Sequence, residues 1–126
     1  KLVSIILLAN VVQNLKHSKN MKAVWAIITQ SMLKEIGATQ NVIDGITEYI
    51  RSIKDVEISF MILETSDGSH RISLRSSGNY SVNDVANYFD GGGHKFAAGA
   101  RITNMKTADI ENSITNQLAK KIHGEF

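Results

Sequence analysis

The sequence has no cysteine, which excludes disulfides, thiolate zinc sites and a cysteine nucleophile. It has little net charge, +2 at neutral pH, too small to bind nucleic acid by bulk electrostatics, so any anion recognition must be local. Aromatic residues are few, 6% of the chain, and Trp25 and Phe60 fall in apolar runs that read as core rather than as base-stacking platforms. Carboxylates are scattered: Asp44, Asp55, Asp67, Asp84, Asp90 and Asp109 never approach another Asp or a His at ligand spacing, apart from Asp90 and His94. Two ligands do not hold a catalytic metal. There is no Gly-x-Ser-x-Gly elbow, no phosphate-binding Walker pattern, no repeat and no low-complexity tract. The apolar stretch from Leu2 to Val12 is interrupted by Ser4 and Asn10 and is too short for a bilayer. No small-x-small cleavage site follows it, against a signal peptide.

What is present is an ordinary globular composition, and 126 residues are enough for one domain with its own core. Its most informative stretch runs from Asp90 to Ala100, with Gly91, Gly92, Gly93 and Gly99 interleaved with Ala97, Ala98 and Ala100. Consecutive glycines let backbone N–H groups approach a ligand and form an anion-binding nest. His94 and Lys95 add a titratable ring and a fixed positive charge beside it. The competing reading is a turn between two elements.

The periodicities order the chain around this stretch. Leu2, Ile5, Ile6, Ala9, Val12 and Leu15 make a helix so apolar that burial on two sides is expected, and Lys16 to Asn20 a polar turn with His17 solvated. Lys22 to Thr29 reads as a doubly covered strand. Thr29 caps a short helix ended by Gly37. A helix from Gln40 to Lys54, capped by Thr39 or Asn41, turns Val42, Ile43, Ile46, Tyr49, Ile50 and Ile53 inward. Val56 to Glu64 is a strand with Val56, Ile58, Phe60 and Ile62 on one face, returning through Ser66 to Ser69 into a strand from His70 to Ser76. Alternation there places Ile72 and Leu74 in the core and Arg71, Ser73 and Arg75 on the other face. Ser81 and Asp84 form a capping-box pattern for a short helix through Phe89. Ala98 to Thr103 closes the sheet, and Thr107 caps a last helix with Ile110, Ile114, Leu118 and Ile122 inward, ended by Gly124. The fold class is α/β (α+β), a four-stranded mixed sheet flanked by helices.

Arg75 and the glycine stretch make the strongest composite site. The guanidinium matches phosphate oxygens, Gly91, Gly92 and Gly93 supply N–H donors without bulk, and His94 donates when protonated or stacks on a base. Ser76 and Asn83 are polar neighbours that serve equally well as turn or cap residues.

Ser73-Leu74-Arg75-Ser76 followed by Gly91-Gly92-Gly93-His94-Lys95-Phe96-Ala97-Ala98-Gly99 resembles the signature of the DHH-associated C-terminal domain of the DHH phosphoesterase family, in particular its bacterial oligoribonuclease and pAp-phosphatase branch. The resemblance covers Lys22 to Ile122. It implies that residues 21–126 are a substrate-binding domain and residues 1–20 a linker helix from a missing N-terminal DHH domain. That DHH domain would be the chain's own partner and would carry the Asp-His-His motif and manganese. No Asp-His-His occurs here, so no cofactor and no catalytic residue are expected in this chain. Substrate binding is assigned by the resemblance to Arg75, Gly91, Gly92, Gly93 and His94, with Ser76 beside them. The implied ligand is a short oligonucleotide, pAp (adenosine bisphosphate) or a cyclic dinucleotide. Cytoplasmic location, no membrane partner and a homodimer through the apolar helix complete the expectations. The alternatives are a stand-alone nucleic-acid-binding module without catalysis, and a structural domain whose glycines are only a turn.

Overall fold

One strand, Ile58–Glu64 (β3), is buried on both faces and sets the architecture. Ile58, Phe60 and Ile62 enter one hydrophobic cluster, while Met61 and Leu63 enter another on the opposite face. A sheet with two apolar faces needs a layer of helices on each. The computed structural model, which describes residues 2–20, 22–37 and 39–123, supplies both.

Lys16–His17 (β1), Ala23–Ile28 (β2), β3, His70–Ser76 (β4), Gly92–His94 (β5) and Ala97–Ile102 (β6) form a six-stranded sheet in the order β1-β2-β3-β4-β6-β5. Only β2 and β3 run parallel among its paired strands, joined by the helices Gln30–Ile36 (α2) and Gln40–Arg51 (α3). Leu2–Gln13 (α1), α2 and α3 pack on one face of the β2–β3 half. Asn83–Tyr88 (α4) and Thr107–Ile122 (α5) pack on the other face. There Trp25 stacks on Phe60 with ring centroids 5.3 Å apart, and its indole N–H donates to Glu111 Oε2 at 2.6 Å.

The α+β class is as read from the sequence, but the sheet has six strands, not four. Both additions defeat pattern reading. β1, taken as a polar turn, is two exposed residues, too short to alternate, held by backbone pairing of Lys16 with Trp25 and His17 with Val24. β5, taken as a loop, has two glycines in three residues and therefore no side-chain pattern.

Smaller corrections have local causes. Tyr49 is 51% exposed, since the inner stripe of α3 is Ile43, Ile46, Thr47 and Ile50. Val56 precedes β3 and joins the cluster opposite to that of Ile58. The Ser81–Asp84 capping box does not form, because Ser81 and Asp84 both accept from Lys121 Nζ, at 3.4 and 2.7 Å. Thr107 is the first residue of α5 rather than its cap, and its hydroxyl lies 2.7 Å from His70 Nε2. Gly124 lies outside the described residues. Thr29 and Gly37 act as expected: the Thr29 hydroxyl accepts from the Met32 N–H and Gly37 adopts φ 73°.

Among its described side chains, the apolar first helix is covered on one side only. Leu7 and Val11 are buried, whereas Leu2 and Ile5 are 72% and 63% exposed. Leu7→Ala is expected to cost about 2–5 kcal/mol in urea unfolding, as for a filled core position. Ile5→Ala is expected to stay within about 0.5 kcal/mol. Equal effects would contradict this orientation of α1.

Candidate functional site

The helices α1 to α3 cover the sheet as far as β3 and the edge of β4, leaving one face of β4, β6 and β5 open. Strand alternation populates that face with the residues opposite Ile72 and Leu74. Register then aligns them into three rows. Arg75 stands opposite Ala97 and Ala97 opposite His94; Ser73 opposite Gly99 and Gly99 opposite Gly92; Arg71 opposite Arg101. The rows bound a depression of about 540 Å³. Its floor is made of Ala97, Gly99 and Gly92, and Arg71, Arg75, Arg101 and His94 surround it.

At Gly99 the floor is low because no side chain can be accommodated. A Cβ on Gly99 would lie 2.7 Å from the Ile72 carbonyl oxygen. Gly93 takes φ 141°, a conformation reserved for glycine, and a Cβ there would lie 2.6 Å from the Ala97 carbonyl oxygen. The glycines thus pack β5 against β6 and let α4 turn into the edge strand. They do not form the expected nest: the Gly91 N–H donates to the Ala86 carbonyl at 2.9 Å, and Gly92 to His94 are paired with β6 along one edge.

Each charged group has a distinct setting. Arg75 donates from Nη1 to the Leu74 carbonyl at 3.0 Å and has its Nε 3.5 Å from Glu48 Oε1 of α3. Glu48 is itself shared with Arg51, whose Nε is 3.0 Å from Oε2. Arg101 is ion-paired with Asp67 of the β3–β4 turn. The Thr65 hydroxyl and the Ser69 backbone N–H, more than Arg101, hold the Asp67 carboxyl well below the usual carboxylate range. A depressed folded-state value means that this contribution is present above the ordinary carboxylate value and fades only as pH falls towards the depressed one. Arg71 has no ion pair or side-chain hydrogen bond among the described residues. His94 is exposed at the β5 end of its row.

Of the residues singled out in the sequence, Arg75, Gly92 and His94 line the depression, and Gly91 and Gly93 lie behind it as packing residues. Ser76 is turned away: it is buried, and its hydroxyl accepts from the Gly78 N–H at 3.1 Å within the turn that ends β4. Asn83 opens α4 and does not line the depression. Two charged lining residues, Arg71 and Arg101, were not singled out. Arg71 shares the face of Arg75 by simple alternation, so its signal was present. Arg101 needs the β4–β6 register, which no local pattern gives.

The DHHA1 domain family matches residues 20–123. The chain belongs to that family. This DHHA1 domain is 33% identical over 111 residues to the probable bifunctional oligoribonuclease and PAP phosphatase NrnA of Streptococcus mutans, covering 87% of this chain and 35% of the relative. It is 31% identical over 101 residues to the bifunctional oligoribonuclease and PAP phosphatase NrnA of Mycoplasma genitalium, covering 80% and 30%. An exopolyphosphatase-related protein from Bacteroides fragilis shares the fold with a TM-score of 0.83 at 25% identity, over 94% of this chain and 34% of that one. The DHHA1 domain thus spans about a third of the length of the curated relatives it matches. Among its described residues no three His, Asp or Glu side chains gather where they could hold a metal ion. No helix among them is long and apolar enough to cross a membrane.

Proposed function

We propose that this DHHA1 domain holds a phosphate group of a short oligonucleotide, pAp or cyclic dinucleotide on the open face of β4, β6 and β5. The observation that carries the reading is the row Arg75–Ala97–His94, which sets a forked cation and an imidazole on either side of a residue with almost no side chain. An anion can settle between two such donors with no side chain above the floor. The guanidinium contributes two parallel hydrogen bonds and His94 a third. The names of the NrnA relatives support nucleotides as the ligand class.

In the parent protein this domain would present substrate to a separate DHH domain joined through α1, and manganese there would activate the attacking water. Here Arg75 binds and orients the phosphate while His94 donates to it; Gly92 keeps the approach clear. Isothermal titration with pAp tests the reading. Saturable binding without release of phosphate in the presence of manganese is expected. Metal-dependent turnover by this chain alone would overturn the division of labour, and a long single strand binding far better than pAp would favour a nucleic-acid-binding module.

Glu48 competes with the ligand for Arg75. Glu48→Gln is expected to raise pAp affinity about two- to fivefold, the scale of a partly exposed ion pair. Unchanged affinity would mean that Arg75 does not meet the phosphate.

A further inference from the structure

A second pocket lies apart from the cleft and shares no lining residue with it. Its volume is about 360 Å³, and it lies beyond the carboxyl ends of the parallel strands β2 and β3, between the start of α2 and the β3–β4 turn. Open sheets with parallel strands commonly take ligands at that end. Glu64 and His70 meet there because they are paired across β3 and β4, in phase with the core residues Ile62 and Ile72.

Both of these lining residues lack the partner their chemistry calls for. Glu64 is half-buried and accepts from the Gln30 N–H at 3.0 Å and from the Thr107 hydroxyl at 3.3 Å, yet no cation pairs with it among the described residues. His70 is only 6% exposed; its Nε2 lies 2.7 Å from the Thr107 hydroxyl, and its buried Nδ1 has no hydrogen-bond partner. The neighbours settle the tautomer. A carboxylate only accepts, so the Thr107 hydroxyl gives its proton to Glu64 and takes one from His70 Nε2, which leaves Nδ1 as an acceptor without a donor. An unmet acceptor at that depth costs about 1–3 kcal/mol. The nearby donors are already committed. The Gln30 side-chain amide donates to the Glu64 carbonyl at 2.6 Å, and the Thr65 hydroxyl and Ser69 N–H both donate to Asp67. Lys34, exposed on α2, is the one cation among the lining residues.

We propose that this pocket binds a small organic cation bearing N–H donors, whose ammonium or guanidinium group donates to the Glu64 carboxylate and to His70 Nδ1. Such a group supplies the charge that Glu64 lacks and the donor that His70 lacks. Lys34 is the built-in competitor for Glu64, so the ligand must outbid a tethered ammonium at the rim. The inference is independent of the phosphate reading, and either can fail without the other.

The probe is n-butylammonium, and the control is tetramethylammonium, which carries the same charge and has no N–H. Saturable NMR shifts at millimolar n-butylammonium are expected for the amides of Gln30, Ser66 and Ser69 and for the His70 Nδ1 resonance. Tetramethylammonium should bind at least tenfold more weakly. Glu64→Gln keeps an oxygen for the Gln30 N–H and removes the charge; it should weaken n-butylammonium about tenfold, the scale of one lost charge-assisted contact. Lys34→Gln removes the competitor and should strengthen binding about two- to threefold, the scale of an exposed ion pair. Should Glu64→Gln fail to fold, the comparison of the two cations and the Lys34→Gln variant decide the matter without it. No saturation by n-butylammonium, equal binding of tetramethylammonium, an unmoved His70 Nδ1 resonance, or unchanged affinity in a folded Glu64→Gln would each overturn the proposal.

Discussion

Gly99→Ala is expected to destabilise the domain by about 2–4 kcal/mol, the range of a steric insertion that cannot relax, whereas Gly92→Ala stays within about 1 kcal/mol. Both glycines lie in one row of the cleft floor and pair with each other. They differ in what stands behind them. The new methyl at position 99 would meet the Ile72 carbonyl at 2.7 Å, and Ile72 is buried in β4 between β3 and β6. That backbone cannot move without breaking ladders on both sides. At position 92 the nearest heavy atom is Asn87 Oδ1 at 3.6 Å, an ordinary contact. Urea midpoints of the two variants decide the matter. Equal midpoints would mean that the glycine motif is not kept short by packing against β4.

Arg75→Ala and His94→Ala are each expected to weaken pAp binding about ten- to a hundredfold, and together to abolish it at millimolar ligand, because each removes charge-assisted bonds of about 1.5–3 kcal/mol. Neither change should unfold the domain. His94 is exposed on an edge strand, and the Arg75 side chain keeps 27% of its surface accessible. Arg75→Lys separates charge from geometry: it retains the cation and loses the fork, so an intermediate loss is expected. If lysine restores full affinity, the guanidinium does not bind phosphate in two-point fashion. If His94→Ala has no effect while Arg75→Ala does, the row holds its anion from the β4 side only.

The sequence was most legible where a pattern is local. Alternation over His70 to Ser76 placed Arg75 on the open face and Leu74 in the core, as the sheet has them. Thr29 and Gly37 marked the ends of α2 through cap chemistry that needs no tertiary context. The Gly91 to Gly99 stretch identified the family before any geometry was known. Legibility failed where the cause is distant in the chain. The glycines read as a nest because their conformational freedom is a local property. Their use as the edge strand β5 is dictated by β6, whose Ala97 and Ala98 they must approach. Arg101 enters the cleft through its pairing with Arg71, thirty residues earlier in the chain. Ser76 shows the reverse case. One step beyond Arg75, it belongs to the opposite face, where its hydroxyl serves a turn.

An amide-shift titration of the domain with pAp tests the central claim most directly. Saturable shifts are predicted at Arg71, Ser73, Arg75, Gly92, His94 and Gly99, all on one face of β4, β6 and β5, with the amides of α1 and α5 unmoved. Shifts that gather instead on α1 or α3, or none up to millimolar pAp, would contradict the claim that this open face is where the domain holds phosphate.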